Sequence, residues 1–157
     1  MRQRVYIETS IVSYLTARPS RDLVLAAHQQ VTHEWWQRQR RKFELCTSQI
    51  ALDEASKGDP QAAADGMAPL SELPLLPLTD EVRKLTAALL HASVLPENAR
   101  VDAVHVAVAT VHEMDVILTW NCRHLANASI LVGLGQKLRA LGYEAPIICT
   151  PNELMGE

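Results

Sequence analysis

This chain is short of the features that mark secreted, fibrous and membrane proteins. Its three cysteines, Cys46, Cys122 and Cys149, are odd in number and show no Cys-x-x-Cys spacing, which excludes a disulfide framework or a zinc ribbon and fits a reducing compartment. Glycine and proline are scarce, at 6 and 8 of 157 residues, and no polar low-complexity run is present, so collagen-like and disordered chains are excluded. No uncharged stretch is long enough to cross a bilayer, and the apolar run after Met1-Arg2-Gln3-Arg4 is broken at once by Glu8, unlike the core of a signal peptide. A soluble, cytoplasmic protein with no membrane partner is expected. A net positive charge is also missing: 15 Lys and Arg against 18 Asp and Glu give −3. Any contact with nucleic acid therefore has to be local rather than spread over a basic surface.

What is present is a hydrophobic content of 48% in a length suited to one domain, enough to build a core without crosslinks. A single domain over residues 1–157 is expected, with no internal repeat. Val5 to Glu8, Phe43 to Thr47, Asp115 to Thr119 and Pro146 to Thr150 are short apolar runs that predict strands. Leu73 to Leu78 predicts a further strand, which Pro74 and Pro77 would push to a sheet edge. Between these runs lie helical patterns. One is capped by Thr9-Ser10 and ends near Ala17; a second, capped by Asp22, carries Leu23, Ala27, Val31 and Trp35 on one apolar face and ends near Arg41. Others are capped by Ser48 and Thr79, a short one runs from Ala62 to Met67, and the last spans about Leu131 to Leu141 and stops at Gly142. Ala99 to Val111 is apolar nearly all round, the pattern of a buried helix. The alternation predicts an α/β fold, a three-layer α/β/α sandwich around a mainly parallel sheet, with functional residues beyond the carboxyl ends of the strands.

Charge and aromatics concentrate in Trp35-Trp36-Gln37-Arg38-Gln39-Arg40-Arg41-Lys42. That segment could supply phosphate contacts with indoles for stacking. The simpler reading, a helix C-terminus whose cations favour the macrodipole over two core tryptophans, is preferred.

Four polar residues stand where the local pattern calls for something else: Glu8 at the end of the first strand, Glu54 in the helix after the second, Asp102 in the most apolar helix, and Asn121 after Leu118-Thr119-Trp120. Three of them could meet at one sheet edge, where uncompensated carboxylates repel and a divalent cation relieves the conflict. Oxygen donors without a Cys/His cluster suit Mg²⁺ or Mn²⁺ rather than Zn²⁺, and such an ion polarises a phosphodiester. Each residue also has a plain explanation. Glu8 could pair with Arg4, Glu54 could be a solvated helix residue, and Asn121 could make a turn. His105, three residues after Asp102, is expected as a core histidine bonded to that acid. Arg123 and His124 lie on the same loop as Asn121 and could meet phosphate or simply be exposed.

These residues resemble the PIN-domain family, and within it VapC-like toxin ribonucleases. The resemblance is carried by Tyr6-Ile7-Glu8-Thr9-Ser10, by Glu54, by Asp102-Ala103-Val104-His105-Val106-Ala107 and by Leu118-Thr119-Trp120-Asn121, in the family's order and across most of the chain. The first and fourth positions, commonly Asp, are here Glu8 and Asn121; a subgroup with Tyr-x-Glu-Thr-Ser, a Trp-Trp pair and Thr-Trp-Asn-x-x-His shares both changes. The resemblance implies a Mg²⁺- or Mn²⁺-dependent endoribonuclease, with Glu8, Glu54, Asp102 and Asn121 as the catalytic and metal-holding set. Thr9, Ser10, Thr119 and His105 would support them. It also implies an RNA substrate, a small antitoxin and a homodimer. The main rival is a non-catalytic PIN-like binding module with a weakened acidic pocket. A receiver or aspartate-nucleophile phosphatase is disfavoured, because the first strand ends in a single Glu and no lysine follows Ile147-Ile148-Cys149-Thr150.

Overall fold

In the computed structural model, which describes residues 1–96 and 99–156, four strands form one all-parallel sheet in the order β2-β1-β3-β4. They are β1 (Arg4–Ile7), β2 (Glu44–Cys46), β3 (Val116–Leu118) and β4 (Ile147–Cys149). Helices cover both faces, so the molecule is a three-layer α/β/α fold. Alternation along the strands divides the core in two. Val5, Ile7, Val116, Leu118 and Cys149 face one side, with Ile11, Val12, Trp35 and Trp36 from α1 (Thr9–Thr16) and α2 (Leu23–Arg38). Tyr6, Ile117 and Ile148 face the other, against Val82, Leu85 and Leu89 of α5 (Asp80–His91), Val106 of α6 (Arg100–Val111), and Leu134 and Leu138 of α7 (Ala128–Ala140). Because both faces are covered, strand residues of both parities are apolar, the signature of a buried parallel sheet. The remaining helices, α3 (Gln49–Ser56) and α4 (Pro60–Gly66), follow β2.

Local chemistry fixes the helix ends. Asp22, Ser48, Thr79 and Asn127 each accept a backbone N–H of the first turn of α2, α3, α5 and α7, satisfying donors that no helical carbonyl can reach. Gly142, at φ 91°, takes the left-handed position just past α7. Gly66 lets α4 approach α1: a Cβ there would lie 2.8 Å from Thr16 Cα.

Several expectations need correction. The cap of α1 is Glu8 itself, not Thr9-Ser10. Residues 73–78 form no strand. Among the described residues a single bridge, Thr47 to Leu75, extends the sheet edge beyond β2, because Pro74 and Pro77 lack the N–H donors that a ladder needs. The buried face of α2 is Gln29, Thr32, Trp35 and Trp36, while Leu23 and Ala27 are exposed and Val31 is half-buried. The polar pair is tolerated inside because its groups are matched: Gln29 bonds Ser20 N and Arg18 O, and Thr32 Oγ1 accepts Trp120 Nε1–H at 2.7 Å. α2 stops at Arg38, and the basic segment continues as a 3₁₀ turn over Arg40–Lys42. Trp35 and Trp36 are core residues, with the Arg40 guanidinium 5.1 Å above the Trp36 ring. The last helix starts at Ala128, three residues ahead of the expected Leu131.

Candidate active site

β1 and β3 are neighbours, so the residues that follow them, Glu8 and Thr119, come together at the carboxyl edge of the sheet. Glu8 is 4% exposed. Its Oε1 accepts Ser10 N–H at 3.0 Å, Ser10 Oγ–H at 2.5 Å and Thr119 Oγ–H at 2.6 Å. Each hydroxyl that donates to Glu8 also accepts a loop amide: Trp120 N–H reaches Ser10 Oγ at 2.8 Å and Asn121 N–H reaches Thr119 Oγ1 at 2.9 Å. A carboxylate that caps a helix and takes two further donors is held in one rotamer by charge-assisted bonds. The same two hydroxyls bolt the loop after β3 to it. Among the described residues no donor reaches Glu8 Oε2.

Asp102 stands in the first turn of α6 with its side chain 14% exposed. Asn121 Nδ2–H donates to its Oδ1 at 3.0 Å, and His124 Nδ1 lies 3.0 Å from its Oδ2. Asn121 Oδ1 in turn accepts His124 N–H at 3.1 Å, which settles which end of that amide faces Asp102. The amide thus presents a donor to Asp102 and spends its oxygen within the loop. Burial pushes the Asp102 carboxyl above the ordinary carboxylate value; the His124 hydrogen bond opposes this, and the Glu8 charge adds to it.

His105 is 1% exposed and does not bond Asp102, contrary to expectation. Tyr6 OH lies 2.6 Å from its Nδ1, and Thr9 Oγ1 lies 3.1 Å from its Nε2. Tyr6 OH also meets Ser48 Oγ, the cap of α3, at 2.7 Å. Burial lowers the His105 pKa against the opposing charges of Glu8, Asp102 and Glu54, and the chain Ser48–Tyr6–His105–Thr9 links α3, β1, α6 and α1. The same neighbourhood, chiefly through burial, raises the Tyr6 phenol well above its ordinary range. Glu54 is a third exposed and pairs with Lys57 at 2.7 Å; its charge reaches His105, but it shares no hydrogen bond with Glu8 or Asp102. Among the described residues, no three Asp, Glu, His or Cys side chains are drawn into one metal cage.

The geometry therefore gathers Glu8, Ser10, Asp102, Thr119 and Asn121, with Thr9 and His105 one layer beneath and Glu54 at the side. It gives His124, expected only as a loop residue that could meet phosphate or be exposed, a partner in Asp102, and it brings in Tyr6 and Ser48. The sequence shows Tyr6 only as part of the Tyr-x-Glu-Thr-Ser motif and Ser48 only as a helix cap; neither signal points to His105. His112 caps α6 and bonds Pro77 O.

The donor set fits a hard divalent cation in one respect: Glu8 offers an anionic oxygen without a protein donor, beside a second carboxyl whose ionisation it opposes. It fits less well at Asn121, whose oxygen is already used. No family model matches this chain, and no curated protein does.

Proposed function

We propose that this chain is a Mg²⁺- or Mn²⁺-dependent endoribonuclease with PIN-like architecture, the toxin of a type II toxin–antitoxin pair acting in the cytoplasm. The observation that supports it most is the Glu8 carboxylate, locked by three donors on one oxygen and open on the other, within electrostatic reach of the partly buried Asp102 carboxyl. Glu8 and Asp102 would hold the ion, with Glu54 contributing directly or through water. A bound dication supplies Lewis acidity toward a phosphodiester oxygen. Ser10 and Thr119 keep Glu8 in its rotamer, Asn121 positions Asp102, and His105 keeps Tyr6 and Thr9 in place. On the face of α6 turned away from Asp102, Arg100 and Val104 line an apolar cleft of about 240 Å³ with Ile50, Leu78 and Val82. In this reading the cleft receives a segment of the antitoxin. The exposed Leu23, Val24 and Leu25 of α2 are then the surface offered to a second copy in a homodimer.

One observation favours the rival. Both Asp102 oxygens already have protein partners, as suits a binding module that does not cut. Expression in a bacterial host separates the two: the nuclease arrests growth and creates new RNA ends, and Asp102→Ala at matched soluble level does neither. Equal toxicity of the variant, or arrest without new RNA ends, removes the ribonuclease reading.

A further inference from the structure

Beside the acids lies an aromatic cluster that the proposed chemistry does not use. Ser10, whose hydroxyl holds Glu8, and Tyr14 are four residues apart on α1, hence one turn apart on one face. The Tyr14 ring meets Trp120 edge-on at 6.4 Å and tilts toward His28 at 6.3 Å, while His28 and Trp120 are stacked at 4.1 Å and 12°. Trp120 is nearly buried and immobile: its indole N–H is bonded to Thr32 and its backbone N–H to Ser10. Tyr14 and His28, in contrast, are half-buried and keep ring surface in solvent. The Tyr14 hydroxyl has no hydrogen-bond partner among the described residues. Partial burial raises its phenol, and the nearness of Cys122 and Glu8 adds to the rise; its contact with Trp120 sets the ring against the loop after β3. That loop carries Arg123, exposed and without an ion pair among the described residues.

An accessible ring on an aromatic backing, with an exposed arginine on the loop that carries that backing, suits an unstacked nucleobase and its phosphate. A chain of net charge −3 needs such a local contact, since it has no general basic surface. We infer that Tyr14 and His28 seat an unpaired base of a single-stranded RNA, with Arg123 on a flanking phosphate. The inference rests on the nuclease reading for its RNA, and it restricts the substrate: a base within a duplex is already stacked and cannot reach Tyr14.

The test is fluorescence anisotropy in EDTA, without cleavage, on a fluorescein-labelled unstructured RNA of about twelve nucleotides, within the reach of one binding face, and on the same strand annealed to its complement. The wild type should prefer the single strand. Tyr14→Ala should weaken that binding roughly tenfold or more, the scale of one lost stacking contact, and Tyr14→Phe, which keeps the ring, should restore it. Arg123→Gln should flatten the salt dependence. Thermal melts control for folding. Equal binding of the duplex, or single-strand binding by folded Tyr14→Ala equal to wild type, overturns the seat, as does a Tyr14→Ala change confined to the melting temperature. Adding Mn²⁺ distinguishes the two layers. Cleavage with Tyr14-independent binding removes the seat and leaves the nuclease; Tyr14-dependent binding without cleavage supports the seat and removes the nuclease.

Discussion

Replacing Asn121 with Asp restores the fourth acid that the resemblance leads one to expect, yet the geometry turns it into a conditional change. Asn121 Nδ2 is a donor 3.0 Å from Asp102 Oδ1, and its oxygen is held by His124 N–H. In Asn121→Asp that oxygen role survives, but the donor becomes a second carboxylate facing Asp102. At about 4 Å and an effective dielectric of about 20, the repulsion is about 4 kcal/mol gross; a lost hydrogen bond to a charged group adds roughly 1.5–3 kcal/mol. Protonation of Asp102, already favoured by burial, relieves part of this, so a net destabilisation of roughly 2–4 kcal/mol is expected at pH 7 without metal. A dication reverses the sign, since each carboxylate at the same distance attracts it by about 8 kcal/mol gross. Thermal denaturation of both proteins, in EDTA and in millimolar Mn²⁺, measures both effects. The variant should melt well below wild type in EDTA, recover toward pH 5, and gain more from Mn²⁺ than wild type does. A variant as stable as wild type in EDTA would falsify the Asn121–Asp102 contact, and one that gains nothing extra from Mn²⁺ would remove the metal from this place.

Three further outcomes follow from the same contacts. Tyr6→Phe deletes the hydroxyl between Ser48 and His105 and should cost about 1–3 kcal/mol in a denaturant titration, because buried partners are left unmatched; no loss would mean water replaces it. Gly66→Ala should cost about 1–3 kcal/mol, since backbone rather than a flexible side chain lies 2.8 Å from the new Cβ. Asp102→Asn should be as stable as wild type or more so at pH 7. With its pKa raised by burial, the folded Asp102 binds its proton more tightly than the unfolded chain, so this group's contribution falls as pH rises from the ordinary carboxylate value through the raised one. The variant's advantage should therefore shrink in acid, and a constant difference across pH would show that burial does not perturb Asp102.

How much of this was legible depends on whether a residue's partner is near in sequence. Val5-Tyr6-Ile7 and Val116-Ile117-Leu118 were readable as strands because a sheet covered on both faces needs apolar side chains of both parities. Glu8 and Asp102 were readable as misfits, an acid ending a buried strand and an acid in an apolar helix. The face of α2 was misread because Gln29 and Thr32 are inside through partners at Ser20, Arg18 and Trp120, which periodicity does not register. The sequence points His105 to its neighbour on α6, yet the fold sets β1 and the start of α1 against it and gives it Tyr6 and Thr9. His124 reaches Asp102 across 22 residues, a pairing made only when the loop after β3 folds over the N-terminus of α6.

The central claim, that Glu8 and Asp102 hold a dication that acts on RNA, is tested most directly by cleavage of a labelled RNA by purified protein in Mn²⁺, comparing wild type with Glu8→Gln. The amide keeps an oxygen for Ser10 and Thr119, so the α1 cap survives, while the open Oε2 becomes an NH₂ that cannot bind a cation. The account predicts cleavage by wild type that EDTA abolishes, and a loss of at least about a hundredfold in Glu8→Gln, within the range for removing one electrostatic group from a catalytic site, with a melting temperature near wild type. Cleavage by Glu8→Gln at the wild-type rate, or none by wild type with any divalent ion, would contradict it.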